Sequence, residues 1–107
     1  RNLYKHNASV TLMRTTVDEC SQMGKIIAGK LNMATGPVAL FLPLKGVSAI
    51  DVEGAPFYGP AEDAELFAQL RANIENTVEL VEMDTDINDE AFALAMAKKL
   101  ISMIEQQ

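Results

Sequence analysis

The chain has 107 residues, 49% of them hydrophobic and 22% charged, with a net charge of −6; this bounds it to one small packed domain and excludes a disordered chain. Its nine basic residues are scattered rather than clustered, so a nucleic-acid backbone is not an expected partner. The single cysteine, Cys20, excludes an internal disulfide and fits a reducing cytoplasm, and no apolar run approaches the ~20 residues of a membrane helix.

Taken in order, residues 1–8 are polar and read as an entering segment, and the opening on Arg1 reads as a piece cut from a longer protein. A short β-branched strand is expected over 9–14. Thr16 stands three residues before Glu19, the capping-box spacing in which hydroxyl and carboxylate satisfy free helix amides reciprocally. Val17, Cys20, Gly24, Ile27 and Leu31 then recur at helical spacing until Thr35-Gly36-Pro37 breaks the pattern. Pro37 to Leu44 is almost wholly apolar, which predicts a strand buried on both faces. A long loop leads to a helix at Pro60-Ala61, with Glu62, Asp63 and Glu65 in its first turn and Phe67, Leu70 and Ile74 on its apolar stripe. Residues 77–83 alternate, as an edge strand would. Asn88 is then the expected N-cap of a last helix, Asp89 to about Glu105, apolar at Phe92, Met96, Leu100 and Met103.

The order β-α-β-α-β-α, without a hairpin signal, predicts three parallel strands in one sheet. The expected architecture is α/β, a three-layer Rossmann-like half of a doubly wound parallel sheet spanning 1–107 as a single half-domain. Such a half sheet leaves an edge unpaired. Either a missing amino-terminal lobe or a second copy should cover it, and a homo-oligomer is expected for the isolated piece.

Three loops leave the carboxyl ends of these strands, where ligands of open α/β sheets bind. The first carries Arg14, Thr15 and Thr16, the second Lys45, Gly46, Ser48 and Asp51, the third Asp84, Asp86 and Asn88. Cations and hydroxyls at a helix start suit a phosphate, and the acids suit a magnesium ion or a ribose. Plainer readings stand beside these. Thr16 and Asn88 are explained as helix caps, Arg14 as a surface cation, and Cys20 as a buried thiol. No Walker loop, G-x-G-x-x-G or G-x-S-x-G occurs, so no catalytic residue can be named.

The phrases HNASVTLMRTT, LPLKGVSAIDVEGAPFYGPAEDAELFAQLR and DINDEAFA, in that order, resemble the carboxyl end of one family. It is the ATP-binding-domain family typified by the plant resistance protein that inhibits tobamovirus replication, with many bacterial and fungal members. The resemblance covers nearly the whole chain and implies a Rossmann-like second half of a two-lobed protein. It implies ATP, with magnesium, as a cofactor, and lends weight to Arg14, Thr15, Lys45, Gly46, Ser48, Asp51, Asp84 and Asn88. Asp86 departs from it, since many relatives carry histidine there. The family's other phrase, G-T-x-D-T-K, is absent from this chain, so part of the implied nucleotide site lies outside it. Two alternatives to a nucleotide-binding wall remain: an interaction module without a small ligand, and a hydrolase or transferase of unknown substrate.

Overall fold

The computed structural model describes residues 1–106. It departs from expectation first at the amino end. The entering segment is itself a strand, β1 (Leu3–Asn7), and it pairs antiparallel with β2 (Val10–Met13), Leu3 opposite Met13 and Tyr4 opposite Leu12. The turn between them, Ala8-Ser9, has none of the glycine that marks a tight hairpin in sequence. The Asn7 side chain closes it instead, accepting the Ser9 amide at 2.9 Å. The first predicted strand is therefore spent in a hairpin and does not join the parallel sheet.

That sheet has two strands, β3 (Val38–Pro43) and β4 (Val78–Met83), parallel and in register from Val38 opposite Val78 to Pro43 opposite Met83. The α/β class holds, with helices on both faces. Helices α1 (Val17–Asn32) and α2 (Pro60–Asn73) pack on each other and close the main core, Ala28, Leu42, Phe67 and Leu70, over Leu40 and Leu80 of the sheet. Their contact depends on Gly24, where a β-carbon would stand 2.7 Å from Cβ of Gln69 and 3.0 Å from the Leu66 carbonyl oxygen. The Asn32 side chain ties the far ends together, donating to the Asn73 carbonyl and accepting the Glu75 amide, each at 2.8 Å.

The opposite face carries α3 (Glu90–Glu105), anchored by Phe92 with its ring edge-on to Phe41 at 6.1 Å. Its N-cap is Asp89, which accepts the Ala91 amide at 2.8 Å; the expected cap, Asn88, sits one residue too early. The expectation that Pro37–Leu44 is buried on both faces also needs correction. Leu42 and Pro43 are buried, whereas Val38 to Phe41 are only half-buried, because a single neighbouring strand covers one edge.

Candidate functional site

The carboxyl ends of β3 and β4 do not simply part into loops. Leu44 donates to the Met83 carbonyl and Lys45 to the Thr85 carbonyl, both at 2.9 Å, and Ile87 returns a bond to Gly46 at 3.0 Å. This continued pairing keeps the two loops side by side beyond the strands. It requires glycine at position 46: φ is +152°, and a β-carbon would come within 2.1 Å of the Asp51 carbonyl oxygen.

Beside these loops opens a cleft of about 640 Å³. Leu44, Val52, Pro60, Ala64 and Phe67 give it apolar walls, and Lys45, Glu53, Tyr58, Asp63, Arg71 and Asp86 give it polar ones. Lys45 is the most accessible cation there. Its Nζ lies 3.7 Å from Asp84 Oδ2 with both side chains largely exposed, a loose pair readily exchanged for a ligand anion. Arg71, by contrast, grips Glu82 through both Nε and Nη2.

Behind the cleft lies a buried ion cluster. Arg14, at the end of β2, points inward: Nη2 donates to Asp51 Oδ2 at 2.9 Å and to Asp63 Oδ1 at 2.8 Å, Nε donates to the Phe57 carbonyl at 3.1 Å, and Nη1 to Thr15 Oγ1 at 3.0 Å. Asp51 completes the knot by accepting the Gly59 amide at 3.0 Å. One guanidinium thus fastens the hairpin, the 44–59 loop and the first turn of α2. Two carboxyls share that single cation. Burial, then the hydrogen bond to Asp51, pushes the Asp63 carboxyl up to about 7 despite Arg14. Burial works against the charge of Arg14, but Asp63 and Asp51 outweigh it and raise its pKa.

The sequence-predicted residues therefore divide. Lys45 and Asp86 line the cleft. Gly46 shapes its loop, and Asp51 lies behind it. Arg14, Thr15 and Thr16 line a separate small hollow of about 290 Å³ with Arg1 and Glu62. Thr16 forms the expected capping box: its hydroxyl accepts the Glu19 amide at 3.2 Å and Glu19 accepts the Thr16 amide at 2.9 Å. Glu19 also holds Arg1 in a two-pronged pair, which with the Thr16 amide lowers its pKa to about 2. Ser48 serves a turn, accepting the Ile50 amide at 3.3 Å, and Asp86 caps another by accepting the Asn88 amide at 2.8 Å.

Asp63, Arg71, Tyr58 and Glu53 line the cleft without having been singled out as site residues. Asp63 reads in sequence like its neighbour Glu62, an acid favourable to the helix dipole; only the returning loop distinguishes the two. Among the described residues no three His, Cys, Asp or Glu side chains converge as a metal site. Asp84 lies in a loose pair with Lys45, and Asp86 accepts a backbone amide. No helix of the described residues is long and apolar enough to cross a membrane.

Residues 1–104 match the family model described as "Uncharacterised protein family (UPF0261) C-terminal domain". The chain is 60% identical over 107 residues to a UPF0261 protein of Clostridium tetani, covering 99% of this chain and 26% of that protein. It is 44% identical over 97 residues to a UPF0261 protein of Rhizobium meliloti, covering 89% and 24%. Against the ToMV resistance protein Tm-1 of Solanum lycopersicum the identity is 38% over 105 residues, covering 96% and 14%. The chain thus spans about a quarter of the length of these bacterial relatives. It belongs to the UPF0261 family, within the region that the family's C-terminal domain describes.

Proposed function

We propose that this domain contributes one wall of a binding site for a small phosphorylated ligand, a nucleotide such as ATP, in the cleft at the carboxyl edge of β3 and β4. The observation that carries this reading is the paired run of loops, which holds Lys45 beside an apolar-walled cleft with only a loose, exposed acid for a partner. Lys45 serves as a point charge for a phosphate oxygen. Tyr58 and the apolar walls suit a base or sugar face, and Asp86 suits a ribose hydroxyl. Magnesium enters this reading only as an ion carried by the phosphates.

Isothermal titration with ATP and magnesium, on the full-length family protein carrying this domain, tests the reading. Lys45→Ala is expected to weaken binding by ~1–3 kcal/mol, the range for a charged hydrogen bond. Its melting curve without ligand should stay unchanged, because an exposed loop lysine supports no core. Equal affinity for ATP with and without Lys45 would overturn it. A second reading, a surface for another polypeptide, is favoured by a different part of the molecule, the face of α3.

A further inference from the structure

We infer that the open edge of β3 and the apolar face of α3 beside it form the seat for a β-strand from the remainder of the full-length family protein. Backbone geometry makes the first argument. Leu44 donates to Met83, so by strand alternation the amides and carbonyls of Leu40 and Leu42 face β4 and those of Ala39 and Phe41 face the open side. No other strand among the described residues pairs with β3. Such a row of free donors and acceptors is a template for another strand, and the sequence around it, Val38-Ala39-Leu40-Phe41, carries no charge to discourage pairing.

The second argument is the groove along that edge. About 370 Å³ lies between β3 and α3, lined by Val38, Phe41, Met96, Leu100 and Met103. On the β4 side Lys99 closes over the sheet by pairing with Glu79 at 2.6 Å. The groove is therefore finished toward β4 and open toward the free edge. Leu100 is 59% exposed and Ile104 62% exposed, so the apolar arc of α3 extends well past its own contacts. An inserted strand would satisfy the edge amides and set an apolar side chain against Phe41 and Leu100 in one step.

The occupant follows from the rest of the chain. In a βαβ order the strand before α1 would lie beside β3, but that strand, β2, is engaged with β1. The domain spans 26% and 24% of two bacterial relatives and matches the family's C-terminal domain. About three quarters of such a protein is thus available to supply a strand.

The test uses a full-length chimera in which this chain replaces the matched quarter of the Clostridium tetani protein, compared with the chain alone by amide hydrogen exchange. The Ala39 and Phe41 amides are expected to exchange at least 100-fold more slowly in the chimera. Leu100→Glu should return them to the fast rate in the chimera while leaving the circular-dichroism melt of the chain alone unchanged. Equal exchange in both proteins would overturn the inference. So would protection in the chain alone together with a dimer by light scattering, since the occupant would then be a second copy. As an independent check, the chain and the remainder of the Clostridium tetani protein are co-expressed as separate polypeptides. Copurification at one to one, lost with Leu100→Glu, supports the inference, and failure of the unmodified chain to copurify overturns it. Loss of ATP binding alone bears on the cleft and not on this edge.

Discussion

The two ends of this small sheet are built to opposite standards. At the carboxyl edge the backbone and the buried charges are tied together: the loops pair past the strands, Gly46 fits where no other residue would, and Arg14 fastens the hairpin to the 44–59 loop and to the first turn of α2. Along β3 and α3, backbone and apolar side chains are left open, and α3 buries little beyond Phe92. Burial of charge costs several kcal/mol per ion unless the partners are well placed. A chain that maintains such a cluster at one edge, while leaving leucine and isoleucine exposed along the other, is locally complete in the first region and dependent on a neighbour in the second.

The sharpest way to break this contrast is Arg14→Ala. It leaves Asp51, 2% exposed, and Asp63 buried together without their cation. Removing one partner of a buried pair costs ~3–5 kcal/mol, which in a domain of this size lowers Tm by more than ~10 °C. Urea melts of the variant and the parent measure it. A loss under 1 kcal/mol would show that the cluster does not hold the loop, the hairpin and α2 together. Arg14→Lys should recover only part of the loss, because one ammonium cannot reproduce the planar fork that meets Asp51, Asp63 and the Phe57 carbonyl.

Much of this was legible in the sequence, and the failures are physical rather than random. The three helices, the Thr16–Glu19 box and the parallel β3–β4 pair follow from periodicity and capping chemistry, which act over a few residues. The hairpin did not, because an asparagine side chain does the work usually signalled by glycine. Lys45 and Asp86 are readable as cleft residues because they lie two and three residues past the ends of β3 and β4. Arg14 reads in sequence as a surface or phosphate-binding cation because its carboxylate partners lie 37 and 49 residues away. No local pattern carries that information. Nor does composition reveal that α3 stays exposed: its apolar spacing is that of a buried helix, and only the number of strands beneath it decides.

Titration sharpens the same contrast with a smaller effect. The Asp63 pKa is raised from 3.8 to about 7 in the folded chain, so the fold holds a proton there that the unfolded chain has lost. Its contribution to stability is full below the unfolded pKa and is lost as pH rises through about 7. Between pH 5 and pH 8 this group should make the domain less stable with rising pH, by an amount on the order of 1–3 kcal/mol at ~1.4 kcal/mol per pKa unit. Glu19 has the opposite sign: its pKa is lowered to about 2, so its contribution is present at neutral pH and lost only as pH falls toward 2. The two windows separate cleanly. Asp63→Asn should flatten the slope of urea stability between pH 5 and pH 8 while leaving the acid limb below pH 4 in place. An unchanged slope would mean that Asp63 does not carry this proton.

The smallest expected effect is on the other side of the comparison, and its smallness is the point. Leu94 and Ile101 are 49% and 55% exposed on α3, on the part of its apolar arc that turns away from β3. Replacing both with glutamine removes apolar surface of which the folded chain takes only about half out of water, so the hydrophobic term that usually penalises Leu→Gln is roughly halved. Glutamine also keeps helix propensity close to that of leucine. Each change should cost no more than about 1 kcal/mol, well below the cost at a core position. The same pair of substitutions at Leu42 and Phe92, which are 2% exposed, would each cost several kcal/mol through lost burial and an unsatisfied amide. A urea melt of Leu94→Gln/Ile101→Gln in the isolated chain reads the difference directly. If that variant lost more than ~2 kcal/mol, the exposed arc of α3 would already be covered in solution by another copy of the chain. The division into a finished edge and an open one would then describe the isolated protomer and not the protein in solution.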